Sequence, residues 1–199
     1  MSGRSGKPEE FHVSRDNLAP MRVAILACAL LGVLGFGQAV DLAGHPADPF
    51  TSPAKVRVFL FVRSDCPVTN RYAPEVARIA RKFPDGVAFW LVYPDRSETS
   101  ATIEAHIAAY HFPGTALRDP SHQIVKLAQA TVAPEAAVFD RANQLVYLGR
   151  IDDRYVDLGK QRASAQVHDL ENAIAAALEG KKIAQSKTRA IGCSLADVQ

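Results

Sequence analysis

The segment VRVFLFVRSDCPVTNRYAPE, Val56 to Glu75, decides the fold. Its first part, Val56 to Val62, is a run rich in β-branched and aromatic residues and reads as a buried strand. A loop over Arg63 to Pro67 follows. From Val68 to Phe83, apolar residues at Tyr72, Val76, Ile79, Ala80 and Phe83 keep helical spacing, and Gly86 closes the unit. Cys66 therefore stands between the end of a strand and the first turn of a helix. Unpaired backbone N–H groups and the helix dipole favour a thiolate there and lower its pKa, which places Cys66 as a nucleophile rather than a core residue.

Working outward, Val87 to Tyr93 reads as a second buried strand and Ser100 to Tyr110 as a second helix. Thr115 to Leu117 is a short third strand ahead of Arg118-Asp119-Pro120, and Ser121 is placed to cap a helix running to about Ala130. Ala136 to Phe139 and Gln144 to Ile151 read as strands, joined over Asp140 to Asn143 by a loop of hairpin length. Gln166 to Leu178 is an amphipathic helix stopped by Gly180. A β-α-β-α-β-α unit followed by a hairpin and a last helix predicts an α/β domain, a mixed sheet covered by helices on both faces.

Composition narrows the function. The 199 residues are 48% hydrophobic and carry 23 Lys+Arg against 21 Asp+Glu, so there is no basic excess to drive binding to nucleic acid. Three cysteines, none in C-x-x-C spacing, exclude a disulfide-stapled scaffold and give no metal or cofactor motif. Upstream, Val23 to Val40 carries no charge and follows Met21-Arg22. At ~1.5 Å per residue it covers roughly 27 Å, enough for a membrane anchor, while Gly37-Gln38-Ala39 offers small residues at a signal-peptide cut. Both readings stay open. Ile25-Leu26-Ala27-Cys28 loosely resembles a lipoprotein acylation site, although Cys28 falls only six residues after Arg22. The expected organisation is an N-terminal tail 1–22, a signal or anchor 23–40, a linker 41–54, the domain 55–182 and a tail 183–199 carrying Cys193. The domain is expected outside the cytoplasm, in the periplasm, where disulfides persist.

Phe61 followed by Cys66, with Ala73-Pro74 beyond it, resembles the active-site strand, loop and helix of thioredoxins, and Thr131 to Asp140 resembles the segment that sets a cis-proline, here Pro134, against the reactive cysteine. The resemblance spans about Val56 to Leu178 and implies a thioredoxin-like three-layer sandwich with a mixed central sheet. The insertion between Ser100 and Leu117, with Ser64 to Glu75, resembles the redoxin branch, including peroxiredoxin-like bacterial proteins. Four departures limit what is implied: Thr69 stands where thioredoxins have a second cysteine, Asp65 where they have a tryptophan and Leu60 where they have a buried acid, and Arg63 stands where peroxiredoxins have a threonine. A two-cysteine cycle within the loop is therefore impossible.

The site expected from this resemblance and from topology holds Cys66, Asp65, Thr69 and Pro134. Thr69 has two open roles, directing its hydroxyl at the sulfur or capping the helix. Asp65 would oppose a thiolate or relay a proton. C-terminal ends of parallel strands share one edge of a sheet, which brings Asp119 and His122 to that edge and returns Arg150, Asp152, Asp153 and Arg154 to it. Of these, Arg150 and Asp153 are taken as catalytic candidates, with a charged turn as the alternative, and His122 as a solvated helix residue. His106, His111 and His168 read as surface residues. Cys193 follows Gly192, whose backbone freedom suits a tail that folds back to resolve oxidised Cys66 or links to another chain; the reduced tail should be loosely ordered. The resulting expectation is an extracytoplasmic thiol oxidoreductase that acts on a disulfide or a peroxide and is recycled by an external thiol. Copper binding through Cys66, Cys193 and His122 and an inactive docking module are the alternatives.

Overall fold

The computed structural model describes residues 39–196 and, in isolation, Gly3. Apart from Gly3, the tail 1–22 lies outside the described residues, as do Cys28 and nearly all of the 23–40 segment. Among the described residues no helix is long and apolar enough to cross a membrane.

Strand β1 (Val56–Phe61) is buried at every position. It lies at the centre of a five-stranded sheet of order β3-β2-β1-β5-β6, with β2 at Val87–Tyr93, β3 at Thr115–Arg118, β5 at Glu135–Phe139 and β6 at Leu145–Gly149. Pairings β1–β2 and β2–β3 are parallel, whereas β1–β5 and β5–β6 are antiparallel, giving the mixed sheet expected from the connections. Alternation along β1 sends Val56, Val58 and Leu60 to one face, where they pack with Tyr72, Val76, Ile103 and Leu170. Phe59 and Phe61 go to the other, with Ile124, Val125 and Ala128. Helices α1 (Pro67–Lys82), α2 (Ser100–Tyr110) and α4 (Asp169–Leu178) thus cover one face and α3 (Gln123–Ala128) the other. Three layers result.

Two helix starts differ from the sequence reading, each because a carboxylate from outside the helix takes the backbone N–H groups where the helix was expected to begin. Ser121 does not cap α3; the buried Asp119 carboxylate accepts the N–H groups of Gln123, Ile124 and Val125. Helix α4 begins at Asp169 rather than Gln166, because the N–H groups of Gln166 and Val167 are held by Asp153. Its other end is as expected, with Gly180 at φ +66 just past the last turn. A small hairpin, β7 (Tyr155–Asp157) and β8 (Lys160–Gln161), has no counterpart in the sequence reading.

The flanking segments are part of the packing. Val40 exchanges backbone hydrogen bonds with Arg118 along the outer side of β3. The buried Arg57 guanidinium donates to the Asp140 and Ser52 carbonyls, fixing the 41–54 segment to the hairpin turn. At the other end of the chain, Leu148 of β6 bonds Ser186 and Thr188, and β9 (Cys193–Ser194) pairs antiparallel with β4 (Val132–Ala133).

Candidate active site

Cys66 is the N-cap of α1, with Pro67 supplying the first helical residue, whose missing N–H suits that position. Its sulfur is bonded to Cys193, the Cα atoms being 6.1 Å apart. The Ala133–Pro134 peptide is cis, and the Ala133 carbonyl oxygen lies 3.1 Å from Cys66 Sγ. Cys66 is fully buried, while Cys193 is half-buried. Register places Cys193 opposite Ala133 and Ser194 opposite Val132, and the Leu195 N–H donates to the Thr131 carbonyl.

Arg63 ties the loop to this pair of strands. Its guanidinium holds both oxygens of Asp65, at 3.0 and 2.8 Å, and a third N–H donates to the Ser194 carbonyl at 3.0 Å. Asp65 is therefore engaged in an ion pair whose carboxylate side is open to solvent while Arg63 is largely buried. Thr69 is fully buried, yet its hydroxyl neither caps α1 nor finds any partner while the disulfide is closed.

Behind the loop is a polar chain that sequence reasoning missed. Asn70 donates to the Ser64 carbonyl and meets His106 Nε2 at 2.8 Å, while His106 Nδ1 meets the Tyr93 hydroxyl at 2.8 Å. His106 is thus buried, not a surface residue, and burial lowers its pKa, which keeps the ring neutral. Glu98, also unanticipated, accepts the Ser64 N–H at 2.8 Å through one oxygen, while its other oxygen is buried without a partner. Burial raises the Glu98 pKa, and neighbouring Asp95 and Asp65 push it the same way. Glu135, directly after Pro134, accepts the Thr131 N–H at 2.7 Å; its carboxyl too is raised by burial.

The tail is held at two places. Upstream, Thr188 accepts the Arg150 N–H and meets the Tyr147 hydroxyl at 2.7 Å. Gly149 permits this approach, since a Cβ there would stand 2.6 Å from the Thr188 carbonyl oxygen. Downstream, the disulfide and the β4–β9 pair hold Cys193 to Leu195.

No family model matches the chain, and no curated protein matches it in sequence. Solved structures do. A conserved protein of Geobacillus kaustophilus, described as uncharacterised, superposes with a TM-score of 0.70 at 21% identity, over 79% of this chain and 86% of its own. A secreted disulfide oxidoreductase of Mycobacterium tuberculosis, homologous to E. coli DsbE, superposes at 0.51 with 22% identity, over 69% and 93%. A thioredoxin-like protein of Aeropyrum pernix superposes at 0.52 with 11% identity, over 71% and 86%. The fold is thioredoxin-like. In this thioredoxin-like frame Cys66, Pro134 and Cys193 converge at the end of the sheet where β1, β2 and β3 finish.

The other expected residues are placed as follows. Arg150 Nε donates to Asp169 at 2.7 Å, and Asp153 binds Arg162 and the chain ahead of α4, so both are engaged in holding α4. Asp152 accepts the Tyr72 hydroxyl of α1 at 2.6 Å, with Arg154 over the Tyr72 ring. His122 is buried rather than solvated, 3.1 Å from the Pro94 carbonyl. The ligand set Cys66, Cys193 and His122 is not assembled in this form: among the described residues, the group of metal-ligating atoms within 4.8 Å is Glu75, His168 and Glu171. His168 is accordingly half-buried, 3.6 Å from Glu75, whereas His111 is exposed as expected. Those carboxylates are already matched by Arg78 and Lys82, which lock α1 to α4.

Proposed function

We propose that this protein is an extracytoplasmic thiol–disulfide oxidoreductase whose redox couple is Cys66 and Cys193. One observation carries the reading: the cysteine at the N-terminus of α1 is bonded, beside Pro134, to a tail cysteine seated on the β4 backbone. In the reduced protein, the Cys66 thiolate attacks one sulfur of a substrate disulfide. The substrate S–S bond breaks, a mixed disulfide with Cys66 forms, and the first substrate thiolate leaves and takes a proton from water. Cys193 thiolate then attacks Cys66 Sγ and releases the second substrate thiol. Two electrons have passed to the substrate, and the protein holds the disulfide seen here.

Recycling runs through the more open sulfur. Cys66 is fully buried and Cys193 half-buried, so an external thiolate meets Cys193 Sγ, and Cys66 departs as the thiolate that the helix N-terminus stabilises. A second external thiolate attacks the external sulfur of that mixed disulfide and frees Cys193. The apolar stretch of Val23 to Val40 supports an extracytoplasmic setting, where a recyclable disulfide has a use, and the Mycobacterium tuberculosis oxidoreductase of the same fold is described as secreted.

The test is turnover of a peptide disulfide with an external thiol reductant, and of hydrogen peroxide in parallel, by wild type, Cys66→Ser and Cys193→Ser. Disulfide turnover should vanish in Cys66→Ser, while Cys193→Ser should stop at a Cys66–peptide adduct visible by mass without reduction. Exchange that survives Cys66→Ser, or a wild type that consumes peroxide and exchanges no disulfide, overturns the proposal.

A further inference from the structure

The docked tail shows what the reactive sulfur accepts beside it. Every polar contact that the host makes with Cys193, Ser194 and Leu195 is to their backbone: the β4 ladder, the Thr131 carbonyl to Leu195 N–H, and Arg63 to the Ser194 carbonyl. The Ser194 hydroxyl is turned back to its own chain, accepting the Ala196 N–H. Backbone contacts of this kind transfer to any extended segment, as in strand addition generally. Ile191, two residues before the cysteine, is half-buried against the core, and the side-chain requirements are sharpest at two other places. At Gly192 a Cβ would stand 2.5 Å from the Ala133 carbonyl carbon and 3.0 Å from Pro134 N, both rigid backbone, so no side chain fits directly before the cysteine. Two residues after the cysteine, Leu195 is 2% exposed and packs in the cluster that contains Phe61, Ala133 and Leu148.

We infer that the Val132–Ala133 edge beside Cys66 is a polypeptide-docking site for extended segments in which glycine directly precedes the reacting cysteine and an apolar residue follows two positions after it. The protein's own tail is its built-in occupant. This inference rests on the proposed disulfide exchange at Cys66 and names the substrate class: cysteine-bearing chains of the pattern Gly-Cys-x-Leu, rather than small disulfides. In the productive encounter the tail is displaced and the incoming cysteine takes the place of Cys193, its sulfur bonding to Cys66 as its former disulfide partner leaves as a thiolate.

The experiment uses the full chain carrying Cys193→Ser, reduced at Cys66. The probe is the peptide Ala-Ile-Gly-Cys-Ser-Leu-Ala, its cysteine joined in a mixed disulfide to thionitrobenzoate. Attack by Cys66 on the peptide sulfur releases the coloured thionitrobenzoate thiolate, so each single-turnover rate is read directly and divided by that peptide's rate with a free small thiol. Replacing the peptide's glycine by alanine, or its leucine by aspartate, should each slow the normalised rate about tenfold or more, the ratio that ~1.4 kcal/mol of lost docking energy gives. In the chain with both cysteines, Gly192→Ala should slow Cys66–Cys193 closure by a similar factor. Equal rates for the three peptides would overturn the selectivity and leave disulfide exchange standing. Failure of Cys66 to react with any of the peptides would overturn both.

Discussion

Reducing the Cys66–Cys193 bond opens a crosslink that spans 127 residues of sequence, most of the described domain. In the chain-entropy account a closed loop of that length removes about 5 kcal/mol of freedom from the unfolded state at 25 °C. In the oxidised form the tail is also held by Thr188 on β6 and Leu195 in the core; a reduced tail that lets go of these contacts adds to the difference, so the crosslink term sets its lower bound. For a domain of this size each kcal/mol moves the melting temperature by ~2–4 °C, and the oxidised protein should melt roughly 10–20 °C above the reduced one. The same free energy acts on the bond. By linkage the folded protein should hold its disulfide about 100 mV more reducing than the same pair in the unfolded chain. Urea unfolding of the oxidised and the fully reduced protein gives the first quantity, and equilibration with thiol–disulfide buffers in the presence and absence of denaturant gives the second. The two must agree. A stability difference below about 1 kcal/mol, with a potential unaffected by folding, would refute the loop-entropy reasoning.

Three further outcomes follow from buried groups and close contacts. Thr69→Val deletes a hydroxyl with no partner in the oxidised form, so that form should gain about 1 kcal/mol in urea unfolding; in the reduced form the Cys66 alkylation profile should move to higher pH, because a hydroxyl able to bond the thiolate is gone. Glu98 has a folded-state pKa raised above its ordinary 4.5, so the folded state binds the proton more tightly than the unfolded one, and stability falls as pH rises from that value through the raised one. Glu98→Gln keeps an acceptor for the Ser64 N–H and should flatten this part of the stability–pH curve, as followed by thermal melts across pH. Gly149→Ala places a Cβ against Thr188; it should loosen the upstream tail anchor and slow disulfide closure after reduction, measured by acid-quenched thiol trapping.

The sheet and the position of Cys66 were legible because local signals suffice for them: a continuous β-branched run needs no partner to be read as a buried strand, and Cys66 falls between that run and a stretch of helical spacing. The Cys66–Cys193 pairing was legible from thiol chemistry, but the role of Gly192 was not. Its absent side chain matters through clearance from Ala133, which only the assembled tail reveals, rather than through backbone freedom. Topology returned residues 150–154 to the site end of the sheet but does not orient side chains, and Arg150 and Asp153 turn to α4 instead of the sulfur. Glu98 and the Asn70–His106–Tyr93 chain join residues 13 to 36 positions apart, beyond any periodicity. Asp119 was open to a better reading: an acid just before a proline turn, four residues ahead of a helix, is a cap signal.

The outermost strands of the five-stranded sheet share a property with a bearing on solubility. A strand at the margin of a sheet offers unpaired amides and carbonyls to any passing chain and so invites fibrous association. Here each margin is sealed by one flanking segment, β3 by Val40 and β6 by the stretch around Lys187. The sealing is partial, a bridge or two per side, and it is supplied by parts of the sequence that an eye for domain boundaries would trim away. A version of the chain shortened before Ser186 would therefore present the β6 backbone to its own copies, and self-association would compete with folding.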